Sequence, residues 1–184
     1  MTRPPQPTPT GGGPRTREVP DGDNRERLVC PDCGFVDYEN PLIVVGAVIT
    51  WEDRILLAQR DIEPRPGYWT IPAGYLELNE TVEEGALREA REEACAEIEL
   101  DGLLGIYNVP RISQVQLIWR AGLNRPDFAA GHETRAVDLF DWDDIPWDNI
   151  AFPSVRWALN HHREVAGEAT FTPRTNPAGE FGNY

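Results

Sequence analysis

Apolar and polar positions divide the chain into a patterned middle and two plain ends. Residues 1–27 hold Pro, Gly and charged residues with almost no apolar ones, and residues 167–184 look similar, with Pro173, Pro177, Gly179 and Gly182. Both ends read as disordered tails, because such composition buries too little apolar surface to offset chain entropy. The middle is different. Leu42 to Thr50 (LIVVGAVIT) is nearly all apolar and β-branched, the pattern of a strand buried on both faces. Trp51-Glu52-Asp53 reads as a turn and Arg54 to Arg60 (RILLAQR) as a second strand, so the pair predicts a hairpin. Pro64, Pro66 and Gly67 make 61–68 a loop, Trp69-Thr70-Ile71 reads as a short strand, and Pro72-Ala73-Gly74 breaks it. From Glu80 to Ala94 the period becomes helical, with Val82, Ala86, Leu87, Ala90 and Ala94 on one side. Strand patterns follow at about 97–108, 113–123 and 135–142. Residues 152–164 read as a closing helix, with Pro153 in its first turn and Gly167 just beyond. The order ββ(β)α-βββ-α predicts an α/β (α+β) sandwich: a mixed sheet flanked by helices. The expected division is a disordered tail at 1–27, a Cys-containing lead-in at 28–40, one domain at 41–166, and a disordered tail at 167–184.

Charge and cysteine content narrow the function. The net charge is −14, from 31 acidic against 17 basic residues. Duplex nucleic acid is disfavoured as a partner, since such binders spread Lys and Arg over phosphates. The balance suits a protein that holds divalent cations, and it equally serves solubility. Three cysteines are too few for a disulfide scaffold and point to a reducing compartment or a small metal site. No apolar run approaches a membrane span, and the N-terminus lacks the apolar core of a signal peptide. A cytoplasmic protein without a membrane partner is the expectation.

The chemistry concentrates on the predicted helix. Glu89, Glu92 and Glu93 stand at i, i+3 and i+4, so they share one stripe. That stripe lies roughly a quarter-turn from the apolar one, at the edge of the core. Three like charges so placed repel one another by a few tenths of a kcal/mol per pair, a penalty that a divalent cation removes. Mg²⁺ takes such hard oxygen ligands and commonly binds substrate phosphates with them. A solvated acidic face would show the same stripe, so the wider spacing decides.

The segment GYLELNETVEEGALREAREEACA, Gly74 to Ala96, resembles the Nudix box G-x5-E-x7-R-E-U-x-E-E-x-G-U, where U is aliphatic. Gly74, Glu80, Arg88, Glu89, Glu92 and Glu93 all fall at motif positions. At roughly 7% per residue type, six such matches arise by chance about once in ten million starting points, which sets the solvated-face reading aside. Asn40-Pro41, Val45-Gly46, Leu56-Leu57, Arg60, Gly67, Trp69 and Pro72 through Leu76 resemble the lead-in of one Nudix branch. That branch carries a zinc-ribbon head and includes ADP-ribose and FAD pyrophosphatases. Ile145-Pro146 through Ala151-Phe152 resembles its C-terminal part.

The resemblance implies a Nudix-type α/β/α sandwich and a hydrolase assisted by Mg²⁺ or Mn²⁺. Water attacks one phosphorus of a nucleoside diphosphate derivative, with ADP-ribose or FAD the leading substrates. Nucleoside triphosphate or dinucleoside polyphosphate hydrolysis, and a non-catalytic nucleotide sensor, are the alternatives. By position, Glu89, Glu92 and Glu93 match the metal-binding carboxylates, with Gly74 offering its carbonyl. Arg88 matches the arginine that orients them, and Glu80 a glutamate that supports it. The base is Glu89 or a glutamate on a later loop, for which Glu133 is the candidate. Arg60, Trp69 and Tyr75 are candidate substrate contacts, although packing is the stronger reading for the two aromatic residues and a plain surface role explains Arg60 equally. Many relatives are dimers, so a homodimer is an open expectation. Two positions depart from the pattern. Cys95 replaces the glycine that ends the helix in a left-handed conformation; a strained but buried structural thiol is expected there. Cys30-Pro31-Asp32-Cys33-Gly34 is one zinc knuckle where a ribbon uses two, and no other Cys or His precedes it. A vestigial knuckle is expected, with one zinc shared between two chains as the alternative.

Overall fold

The computed structural model describes residues 12–182. The chain forms two units, residues 1–40 and residues 41–184.

In the first unit, β1 (Thr16–Glu18), β2 (Arg27–Val29) and β3 (Val36–Asp37) make an antiparallel sheet in the order β1-β2-β3. The knuckle is a tight turn between β2 and β3. The Cys30 N–H donates to the Phe35 carbonyl at 2.8 Å and the Gly34 N–H to the Cys30 carbonyl at 2.8 Å. Arg15 forks onto Asp32, with Nη2 to Oδ1 at 3.0 Å and Nη1 to Oδ2 at 2.8 Å, and Arg27 pairs with Asp23 at 3.0 Å. The disordered tail expected over 1–27 is therefore corrected for residues 12–27. Strand pairing and two ion pairs order this stretch without the apolar run that a sequence pattern detects. Residues 1–11 lie outside the described residues.

The second unit contains β4 (Leu42–Trp51), β5 (Arg54–Arg60), β6 (Trp69–Thr70), β7 (Ala73–Tyr75), α1 (Val82–Ala94), β8 (Ile98–Val109), β9 (Gln114–Leu123), β10 (Thr134–Phe140) and α2 (Pro153–Glu164). The strands form one mixed sheet in the order β10-β5-β4-β9-β8, with β6 on β5 and β7 on β4. β4 and β9 are parallel; the remaining pairs are antiparallel. Alternation along β4 sends Val48 to one layer and Ala47 and Ile49 to the other. Val48 joins Leu57, Leu104, Tyr107, Trp157 and Leu159 beneath α2. Ala47 and Ile49 join Leu56, Ala90, Ala94 and Ala121 beneath α1. This is the expected mixed sheet between two helices. Among the described residues no helix is long and apolar enough to cross a membrane.

α1 begins two residues later than its periodicity predicts because Thr81 caps it. The Thr81 hydroxyl accepts from the Glu84 N–H at 3.2 Å, and the Glu84 carboxylate accepts from the Thr81 N–H at 2.8 Å, a reciprocal capping box. Its other end is Cys95, in the left-handed conformation at φ 49° and ψ 28°. The thiol is exposed, not buried as expected, because the left-handed turn points it away from the apolar stripe. Pro72 does not end pairing either. Residues 73–75 continue as β7 along Val44–Gly46.

The predicted C-terminal tail is also corrected. The Arg174 N–H donates to the Leu104 carbonyl at 2.8 Å, and the Ile106 N–H to the Arg174 carbonyl at 2.9 Å, so the segment pairs with the outer edge of β8. Phe171 lies under the Arg120 guanidinium, 4.4 Å from ring centre to charge. Residues 183 and 184 lie outside the described residues.

A left-handed non-glycine residue costs roughly 1–2 kcal/mol. Cys95→Gly is expected to raise unfolding free energy by about 1 kcal/mol, less what the freer unfolded glycine returns. A urea titration checks it; a fall in midpoint would contradict the assigned strain.

Candidate active site

The acidic stripe of α1 is organised by one arginine. Arg88 Nε and Nη2 donate to the two oxygens of Glu80 at 3.1 and 2.7 Å. Nη2 also donates to the Tyr75 carbonyl at 2.9 Å. Nη1 donates to Glu89 Oε1 at 2.6 Å and to Glu92 Oε2 at 2.9 Å. All five guanidinium hydrogens are thus engaged. The hydrogen bonds to Glu80, with those to Glu89 and Glu92, hold Arg88 above its usual range. In return Arg88 holds the Glu80 carboxyl below the usual carboxylate range.

Glu89 and Glu93 are in a different state. Glu89 is 7% exposed, and burial raises its pKa despite the Arg88 contact. Glu93 Oε2 accepts the Ala73 N–H at 3.0 Å, and burial pushes its carboxyl up to about 7. Glu89 and Glu133 add negative charge to the same effect, while Arg60 opposes it. The Glu89 carboxylate lies directly over Gly74, where a β-carbon would overlap its oxygens. Only glycine on β7 leaves room for a carboxylate at that spot. Glu92 is exposed.

These groups line a cleft of about 900 Å³ across one end of the sheet, within the usual range for a ligand site. The loop after β9 is pinned to the end of α1. The Ala129 N–H donates to the Ala94 carbonyl at 2.9 Å and the Gly131 N–H to the Glu93 carbonyl at 3.1 Å. These bonds use helix-terminal carbonyls that would otherwise lack partners, and they bring His132 and Glu133 to the cleft. Arg60 reaches it from the end of β5; its guanidinium holds the Pro64 carbonyl at 2.8 Å and lies 5.2 Å over the Phe152 ring. Tyr75 lines it too.

Trp69 does not. Its ring meets Phe140 edge-on at 4.9 Å and packs with the α2-side core, while its neighbour Thr70 lines the cleft. Strand alternation on β6 explains the exchange, and the substrate role expected for Trp69 is withdrawn. Sequence reasoning missed Gln114 and Gln116, which line the cleft from β9. The period-two pattern of Gln114-Val115-Gln116-Leu117 was their available signal.

In the other unit, Cys30 is buried and Cys33 exposed, both as free thiols. Burial pushes the Cys30 thiol up, but the N–H groups of Asp32 and Cys33 and the Cys33 thiol together hold it below the ordinary value.

The carboxylates fit a Mg²⁺- or Mn²⁺-class ion by chemistry: hard anionic oxygens, two of them reluctant to ionise where burial leaves them uncompensated. Hydrogen bonds to Arg88 and the Ala73 N–H occupy one oxygen each of Glu89, Glu92 and Glu93. Among the described residues, no three His, Cys, Asp or Glu side chains already converge as an ion cage.

Comparison with known proteins agrees with this geometry. The NUDIX domain family matches residues 40–158, and the family described as Nudix N-terminal, a zinc-ribbon type, matches residues 9–39. A crystal structure of a NUDIX hydrolase from Nitrosomonas europaea superposes with a TM-score of 0.84 at 39% identity, covering 90% of this chain and 94% of that one. An ADP-ribose pyrophosphatase from Methanocaldococcus jannaschii is 29% identical over 113 residues, 59% of this chain and 67% of the relative. An NAD-capped RNA hydrolase NudC from Pseudomonas aeruginosa is 35% identical over 92 residues, 48% of this chain and 31% of the relative. The chain thus spans about two thirds of the archaeal relative and under a third of the other. With its box, its fold and its relatives in agreement, the chain belongs to the Nudix hydrolase family.

Proposed function

We propose that this protein is a divalent-metal-dependent pyrophosphatase that splits ADP-ribose or FAD, releasing AMP with ribose 5-phosphate or FMN. The observation that carries the reading is a pair of carboxylates, buried Glu89 over Gly74 and half-buried Glu93 on the Ala73 N–H, in a cleft of about 900 Å³. A cleft of that size suits a substrate with a sizeable group on each side of its diphosphate. The archaeal ADP-ribose pyrophosphatase relative supports the substrate class.

Glu89, Glu92 and Glu93, with the Gly74 carbonyl, would hold Mg²⁺ or Mn²⁺. Such an ion neutralises diphosphate charge and lowers the pKa of a bound water. The chain supplies the rest. Arg88 and Glu80 fix the stripe. Glu89, or Glu133 carried in by the loop pinned to α1, accepts the proton of the attacking water. Arg60 takes a phosphate oxygen, and Tyr75 contacts the substrate.

Full-length protein with Mg²⁺ or Mn²⁺ is expected to release AMP from ADP-ribose or FAD, read by chromatography in a panel with NADH and 8-oxo-dGTP. Hydrolysis of 8-oxo-dGTP alone, to 8-oxo-dGMP and pyrophosphate, would move the assignment to the triphosphate class. Glu92→Gln and Glu93→Gln are each expected to lower turnover at least about 100-fold, the upper end of losses from disturbing groups around a metal. Near-normal turnover in both would overturn these metal-binding roles.

Glu93 also makes a pH prediction for the metal-free protein. Its folded pKa of about 7 lies above its unfolded value, so ionisation opposes folding. The associated stability is full below the unfolded pKa near 4.5 and is lost as pH rises through about 7. With chelator present, raising pH from 5 to 8 is expected to lower stability through this group by on the order of 2 kcal/mol, discounted for its partial exposure. Glu93→Gln is expected to remove that component; an unchanged pH profile in the variant would show that Glu93 is not its source.

For the head unit we propose that Cys30 and Cys33 bind no zinc within one chain. Two thiols are half a tetrahedral set. The Arg15–Asp32 fork at 2.8 and 3.0 Å supplies a clasp at the same turn. Metal analysis after stripping and refolding in zinc is expected to find under about 0.1 zinc per chain, against the four-ligand requirement. Half an equivalent would indicate two chains sharing one ion, and a full equivalent would overturn the proposal.

A further inference from the structure

The chain returns to the cleft after α2, through residues that no catalytic motif includes. Arg120 begins the return: its Nη1 donates to the Val165 and Glu168 carbonyls at 3.3 and 2.9 Å, and Phe171 stacks beneath it. Arg174 then pairs with the β8 edge. The Asn176 side chain closes on one residue of that edge. It accepts the Asn108 N–H at 2.8 Å and donates to the Asn108 carbonyl at 2.8 Å and the Glu180 carbonyl at 3.0 Å. The Glu180 carboxylate takes the Trp157 indole N–H from α2. These anchors deliver Gly182 against Val109. Gly182 sits at φ +72°, and a β-carbon there would lie 2.9 Å from Val109 Cγ1. Only glycine fits, and both residues line the cleft that holds the glutamates.

The sheet order places this wall. Arg60 stands on β5, Gly74 on β7 beside β4, Gln114 and Gln116 on β9, and Val109 at the end of β8. The strap therefore bounds the end of the cleft farthest along the sheet from Arg60. Between them runs a neutral relay: Gln116 Nε2 donates to Gln114 Oε1 at 3.3 Å, and Gln114 Nε2 to the Tyr75 hydroxyl at 3.1 Å. Carboxamides and a phenol match the neutral donors and acceptors of a base edge or a sugar hydroxyl, whereas phosphate calls for cations. Val109 and Ile112 add apolar surface beside them, and Arg111 between those two brings one positive charge to this end.

We propose that the strap, residues 171–182, together with Tyr75, Gln114 and Gln116, forms a subsite for the nucleoside half of the substrate and limits what fits there. The proposal rests on the pyrophosphatase reading for its substrate. Gly182→Leu pushes the strap end off Val109, and Asn176→Ala releases it from β8. Both variants are expected to raise KM for ADP-ribose at least about 10-fold while kcat stays within about 3-fold, the signature of binding lost equally from ground and transition states. Product inhibition by AMP is expected to weaken by the same factor, with inhibition by ribose 5-phosphate unchanged. Loss of ribose 5-phosphate inhibition instead would overturn the nucleoside assignment. Calorimetric titration of AMP into metal-free full-length protein keeps the two readings apart. Strap-sensitive AMP binding without any turnover overturns the pyrophosphatase reading alone. Turnover with AMP affinity indifferent to both variants overturns the strap proposal alone.

Discussion

The Arg88 guanidinium is the constraint on which the site depends. Four glutamates, at positions 80, 89, 92 and 93, gather around the first strand-to-helix connection of the sheet, and left alone they would repel one another. One planar fork with five donors answers three of them and the Tyr75 carbonyl at once. A lysine has neither the donors nor the geometry for that set. The fork also sorts the carboxylates. Glu80, paired through both oxygens, is held low in pKa and fixes the box loop to α1. Glu93 has no hydrogen bond to the fork; it accepts the Ala73 N–H and feels the Arg60 charge, and burial outweighs both and raises it to about 7. The same cluster therefore contains one carboxylate held low, Glu80, and two raised by burial, Glu89 and Glu93, and the raised pair lines the cleft.

That sorting works because the backbone around it is fixed from two sides. β7 pairs with β4, which brings Gly74 and the Ala73 N–H beneath the stripe. The loop after β9 bonds to the last carbonyls of α1, which brings Glu133 to the cleft. The capping box at Thr81 and the left-handed turn at Cys95 set where α1 starts and stops, and so which glutamates reach the cleft. Chemistry at Glu89 and Glu93 is thus tied to packing at Ala90 and Ala94, the next residue in each case, on the buried face.

What was legible in the sequence was what repeats. The apolar run of β4, the hairpin to β5, the period of α1 and the box spacing all carry periodic or fixed-interval signals, and the structure follows them. Three features carried no such signal. β1 and β2 are held by ladder bonds and ion pairs, and the C-terminal segment by pairing with a sheet edge. Residues such as Arg174, Asn176 and Glu180 look like solvated tail until their partners, far back along the chain, are known. β7 hides behind Pro72, which reads as a stop although the strand resumes one residue later. Trp69 was misplaced for another reason: alternation fixes that Trp69 and Thr70 face opposite ways, but not which of them faces the cleft. The residues that hold α1 and its stripe were therefore readable, and the residues that bound the far end of the cleft were not.

The charge of the cleft explains why both kinds of residue are needed. Its lining includes Glu63, Glu77, Glu89, Glu92, Glu93 and Glu133 against Arg60, Arg88 and Arg111, and Arg88 is already committed to glutamates. A diphosphate entering such a cleft meets net negative charge at short range in a poorly screened place. In the proposed pyrophosphatase, a divalent cation held by Glu89, Glu92 and Glu93 would offset that repulsion, so the diphosphate would not provide affinity by itself. Neutral contacts must then hold the remainder of the substrate. Tyr75, Gln114, Gln116 and the glycine-ended strap are among the groups in the cleft suited to that, because they bind without adding charge. Under that proposal the neutral relay complements the acidic balance of −14, because it holds part of an anionic substrate without a further carboxylate.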